Sequence, residues 1–232
     1  MCNIDRKQFY RNISSFHNKI KEIDNHRYLS WEHCYEYFYI NRKNVDYDYA
    51  SLMLSFYLAS WGMYRGSSFL LHYDYQIYKI MLKELLDINL WDKQDWNQIT
   101  QANKIIEEKL LLYKNNKNNK NNKNNKNNKN NKNNKNNKNK ISNTLITKIL
   151  LGIFGCTPAY DRFFVNGLKK HNINNNKIPI QYCEDSYIGI IDLIDRCKSS
   201  FKFPKIPLKY NKNIYYPDMK IMDMYFWILG KE

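Results

Sequence analysis

NTLITKILLGIFGCTPAYDRFFVNGLKK, residues 143–170, reads as two helices joined by a tight corner. Leu145, Ile146, Ile149, Leu150, Ile153 and Phe154 recur at helical spacing and give the first segment one apolar face. Gly155 follows the last of them, where a helix commonly ends on a left-handed residue. Thr157 stands where it can cap the next helix, and Pro158 falls in the first turn, where a missing N–H costs nothing. Tyr160, Phe163, Phe164 and Leu168 carry the apolar stripe onward. Asp161, Arg162, Lys169 and Lys170 are left for the other side.

The same periodicity extends in both directions. Phe9, Ile13, Phe16, Ile20 and Ile23 mark a helix within residues 5–25, and an aromatic-rich helix follows over 30–40. Residues 47–61, YDYASLMLSFYLASW, are apolar nearly all round, which predicts a central helix. Further helices are expected over 75–86, 96–113 and 184–201, and a last one over 217–229 with Gly230 ending it. With at most a short hairpin in 202–216, the expectation is an all-α domain of about eight helices.

Residues 114–140 interrupt this pattern with Lys-Asn-Asn repeated almost without error. Such a tract has nothing to bury and is expected to be disordered. The chain therefore divides into 1–113 and 141–232, two helical parts of one domain, with the repeat as an insert. Ten of the 37 lysines and arginines lie in the insert with no acid among them. The remainder holds 27 basic against 22 acidic residues, a balance of +5 rather than the overall +15. A mildly basic domain is compatible with a nucleic-acid partner without requiring one.

Several classes are disfavoured. Neither GxGxxG nor GxxxxGK[ST] occurs. The five cysteines form no CxxC pair and no hydrophobic leader precedes them, so reduced thiols in a cytoplasmic protein are expected. Apolar runs stop well short of the ~20 residues needed to span a bilayer. His26 and His33 lie seven apart without a third ligand at a recognisable spacing, so neither a metal nor a cofactor is expected.

The residues that could carry chemistry are few. Gly62-Met63-Tyr64-Arg65-Gly66-Ser67-Ser68 follows the apolar helix. Two glycines, an arginine and two hydroxyls could form an anion-binding corner beside Trp61. Equally, Gly62 could end one helix, a serine cap the next, and Arg65 pair with a carboxylate. Asp223 sits on or beside the stripe of the last helix, which makes it either buried and paired or functional. Cys156, at the corner, reads better as a buried thiol than as an activated nucleophile.

Two resemblances rest on these residues. LASWGMYRGSSF (58–69), TKILLG (147–152), PAYDR (158–162), Pro217 and residues 219–230 resemble a family of uncharacterised bacterial all-α proteins. Ile153-Phe154-Gly155 with Pro158-Ala159-Tyr160-Asp161 is similar to the corner of the helix-hairpin-helix DNA glycosylases. That second resemblance implies duplex DNA as partner and Asp161 as the catalytic aspartate. The glycine-rich hairpin of those enzymes is missing, and the position of their catalytic lysine falls near Asn143 or Thr144. The expected function is nucleic-acid binding on a glycosylase-like scaffold, with Asp161 as candidate catalytic residue. Trp61, Arg65, Ser67, Arg162 and Asp223 are the candidate binding residues. The alternative is a non-catalytic protein- or ligand-binding domain that keeps the scaffold alone.

Overall fold

A computed structural model describes residues 4–91, 95–122, 140–173 and 177–232. Among them the chain forms nine α-helices: α1 (Arg6–Glu22), α2 (Leu29–Asn41), α3 (Tyr47–Ser60), α4 (Tyr78–Leu85), α5 (Trp96–Asn122), α6 (Asn143–Ile153), α7 (Arg162–Asn172), α8 (Glu184–Ser200) and α9 (Asp218–Lys231). No strand is present among the described residues. The hairpin considered for 202–216 is a single antiparallel bridge between Pro207 and Tyr215. The fold is all-α.

Short polar side chains start several of the helices, whereas α2, α4, α8 and α9 begin without a side-chain cap. Asp5 accepts from the Gln8 N–H, Asp46 from the N–H groups of Asp48 and Tyr49, and Ser142 from that of Leu145. Each satisfies donors that the first helical turn leaves open. Asp161 does the same for α7, accepting at Oδ1 from Phe163 N–H at 3.0 Å and Phe164 N–H at 3.1 Å. This corrects the expected start at Thr157-Pro158. Residues 155–160 run as an irregular buried connector. Thr157 donates its hydroxyl to the carbonyl of Pro158 and caps nothing. Gly155, at φ +65°, ends α6 as expected and donates to the carbonyls of Leu150 and Leu151.

The central helix is α9, not α3. Every residue from Met219 to Leu229 is buried, including Lys220 and Asp223. On α3 the side chains of Tyr49, Leu52 and Phe56 are exposed, so its apolar circumference is only partly covered. The closest packing in the molecule is α7 against α9. A Cβ at Gly167 would stand 2.0 Å from the carbonyl oxygen of Phe226, and one at Gly230 would stand 1.8 Å from that of Phe163. Gly230 therefore lies inside α9 as a site of backbone contact and does not terminate it. α6 is buried from Leu145 to Ile153, Lys148 included, and lies against α2 and α3.

α5 continues past Tyr113 to Asn122, so the first repeat units extend a helix. The rest of the expected disorder, residues 123–139, lies outside the described residues. Lys114 Nζ donates to the carbonyl of Lys140, which ties the two ends of the insert together.

Candidate functional site

The C-terminus of α3, the start of α7 and the middle of α6 meet around Trp61. Gly62, at φ +77°, turns the chain sharply after Trp61, and the Trp61 carbonyl accepts from Lys148 Nζ at 3.1 Å. Lys148 also pairs with Asp161, Nζ to Oδ2 at 3.3 Å, with the two side chains 4% and 15% exposed. Asp161 is thus divided: one oxygen caps α7 and the other holds a buried ammonium. Burial draws the Lys148 pKa below the ordinary lysine range, and the Asp161 carboxylate works against that shift.

A second buried pair lies on α9. Lys220 Nζ meets Asp223 Oδ2 at 2.7 Å, and Asp223 Oδ1 accepts from Ala159 N–H at 3.0 Å. Burial pushes the Asp223 carboxyl above its usual range, with Lys220 opposing the shift. The Lys220 ammonium is caged by three rings, 5.0 Å from Phe16, 5.1 Å from Trp31 and 5.4 Å from Trp61. Such desolvated cation–ring contacts replace part of the hydration the ammonium has lost. Trp61 also stacks with Tyr28 at 5.2 Å and meets Trp227 edge-on at 6.1 Å.

Above this buried layer opens a cleft of about 520 Å³. Trp61 and Phe163 supply its half-buried aromatic surface, with Trp227 behind Phe163 at 5.1 Å. Arg27, Arg65 and Arg162 line its mouth, with Lys148 and Asp161 further in. Arg27 is fixed by a 2.9 Å hydrogen bond to the Ser60 carbonyl and lies 5.2 Å from the Trp61 ring. Arg162 lies 4.8 Å over Phe163, and the Arg65 guanidinium fills the space a Cβ at Gly62 would need. Among the described residues, no carboxylate is within ion-pair distance of any of the three arginines. Four cations therefore share the cleft with one carboxylate.

The structure brings together Trp61, Arg65, Asp161 and Arg162 of the six residues singled out from sequence. Ser67 lies in an adjoining cavity with Arg65, and Asp223 is sealed beneath the cleft in its pair with Lys220. Arg65 does not pair with a carboxylate, and the cation that meets Asp161 is Lys148. Sequence reasoning missed Lys148, Lys220 and Arg27. A lysine inside ITKILLG, and one three residues before an aspartate in MKIMDMYFWIL, were the available signals: a charge embedded in an apolar run is either exposed on a stripe boundary or buried and paired.

Cys156 is fully buried and its thiol is pushed up to about 12, so it stays protonated. His26 packs edge-on against Tyr28, whereas His33 stacks on Tyr210. Among the described residues no group of three or more His, Cys, Asp or Glu side chains could hold a metal ion. None of the described helices is long and apolar enough to cross a membrane. Compared with known proteins, the chain matches no family model, no curated protein and no solved structure.

Proposed function

We propose that the chain binds a nucleic-acid strand, DNA in the first instance, in the cleft beside Trp61. Backbone phosphates lie against Arg27, Arg65 and Arg162, and a base packs on Phe163 and the exposed part of Trp61. The observation that carries this reading is the set of three arginines without carboxylate partners around an aromatic surface. Phosphate contacts supply most of the affinity in such sites, and base–ring stacking adds about 1–3 kcal/mol per base without sequence preference. The Lys148–Asp161 pair acts as the floor, holding the α3 terminus and the start of α7 in register.

A second reading, base excision on a helix-hairpin-helix glycosylase-like scaffold, is favoured by one feature: a desolvated lysine beside an aspartate at the back of the cleft. Against it stands the commitment of both Asp161 oxygens to protein donors. Binding is therefore the primary reading.

Fluorescence anisotropy with labelled single-stranded and duplex oligonucleotides tests it. Arg27→Gln/Arg162→Gln should weaken binding by about tenfold at moderate salt and flatten the salt dependence. Binding indifferent to both substitutions would exclude the cleft. Incubation with oligonucleotides carrying damaged bases tests the second reading, and free base released by the wild type but not by Asp161→Asn would establish it.

A further inference from the structure

Next to the cleft lies a larger cavity, about 700 Å³, that the reading above leaves unused. The loop after α3, the position of Lys114 on α5 and the start of α6 form its walls. Its charged lining is entirely cationic: Arg65, Lys114 and Lys140, with the hydroxyls of Ser67, Ser68 and Ser142 between them. Among the described residues no carboxylate pairs with any of these three cations. Two of the hydroxyls already accept from backbone, Ser68 from Leu70 N–H and Ser142 from Leu145 N–H, each at 3.3 Å. The Ser67 side chain is exposed and remains available to donate.

Lys114 is the informative residue. It is half-buried and donates to the Lys140 carbonyl, which holds its ammonium at the rim of the cavity. Burial draws its pKa below the ordinary lysine range, with no opposing carboxylate. Lys114, Lys140 and Arg65 thus face one cavity with no carboxylate in its lining, an arrangement that favours an anion. Gly62, Met63 and Arg65 line both this cavity and the cleft, so the two spaces share one wall.

We propose that this cavity is a second anion subsite, which takes a backbone phosphate of the strand bound in the cleft. The ligand then runs from Arg162 and Arg27, over Arg65, to Lys114 and Lys140, and a single nucleotide fills only half of the site. This inference rests on the cleft-binding reading and adds the class of ligand: a single strand of at least two nucleotides.

Isothermal titration of the full chain with two probes separates the two claims, using thymidine 5′-monophosphate and a 5′-phosphorylated oligothymidylate of about five nucleotides. Lys114→Gln/Lys140→Gln should weaken the oligonucleotide by about tenfold, lower its salt slope by about 0.7, as for one lost phosphate contact, and leave the mononucleotide unchanged. Removing the same charge at Lys126 and Lys129, within the repeat, should cost the oligonucleotide no more than about threefold, as diffuse electrostatics would. Arg27→Gln/Arg162→Gln should weaken both probes. If the cleft pair weakens both probes while Lys114→Gln/Lys140→Gln changes neither, the subsite is overturned and the cleft stands. Equal losses from the 114/140 and 126/129 pairs would also overturn it, because the repeat's charge alone would then explain the effect. A wild-type chain that binds neither probe, or binding untouched by the arginine pair, overturns both claims.

Discussion

Asp161→Asn separates the two jobs that Asp161 performs. Asparagine caps helices about as well as aspartate, so the bonds from Phe163 and Phe164 N–H survive. What is lost is the negative charge facing Lys148, whose side chain is only 4% exposed. Breaking a fully buried pair costs roughly 3–5 kcal/mol, and here the Trp61 carbonyl and the partial exposure of Asp161 soften it to roughly 2–3 kcal/mol. Asp161→Ala should cost about 1 kcal/mol more, the value of the cap. Lys148→Met/Asp161→Asn should cost less than the sum of its single variants by about 1–2 kcal/mol, since neither charge is then left alone. Urea unfolding followed by tryptophan fluorescence measures all four. The pH dependence has a definite sign. Without Asp161 the depressed Lys148 pKa falls further. A lysine with a depressed folded pKa contributes stability above its unfolded pKa and loses it as pH falls through the folded one. The deficit of Asp161→Asn should therefore shrink toward alkaline pH. A variant within about 0.5 kcal/mol of wild type, the spread of an ordinary surface substitution, or strictly additive singles, would refute the pairing argument.

The packing of α7 on α9 predicts that Gly230→Ala, despite the better helix propensity of alanine, costs at least about 2–3 kcal/mol through the clash with the Phe163 carbonyl, read as a lowered urea midpoint. His17 is pulled down to about 4 by burial and by Lys21 and Lys212, so its neutral form is the one that packs. Stability should be full above pH ~6.5 and fall through pH 4, by about 1 kcal/mol after allowing for solvent screening, and His17→Gln should remove that slope in a pH series of thermal melts. Replacing residues 117–138 by a short Gly/Ser linker, with Lys114 and Lys140 kept, should change stability by no more than about 1 kcal/mol, because closure cost grows slowly with loop length. A large drop in melting temperature would show that the repeat is structural.

Helix positions were legible because caps and apolar spacing act locally. Asp5, Asp46 and Ser142 sit one residue before their helices, and Gly155 sits one beyond the capping Phe154. The start of α7 was misread because Thr157-Pro158 and Asp161 both carry helix-opening chemistry, and only the connector's path over α9 decides between them. Choosing Thr157 placed Asp161 inside the helix and hid its link to Lys148. The centrality of α9 was obscured by Lys220 and Asp223, which mark a polar face unless each is known to satisfy the other. Trp61, Arg65 and Arg162 could be named from sequence because they lie close to turns. Arg27 could not, since its place over Trp61 depends on how α1 and α2 are joined.

The proposed function places nucleic acid in the cleft and not on the lysine repeat. Its most direct test is the affinity of a full-length chain in which the lysines at 117, 120, 123, 126, 129, 132, 135 and 138 are replaced by glutamine. Oligonucleotide binding should persist in this chain, weaken steeply as salt rises, and drop by about tenfold further when Arg27 and Arg162 are also replaced. Binding that disappears with the repeat lysines and does not respond to the arginines would contradict the account.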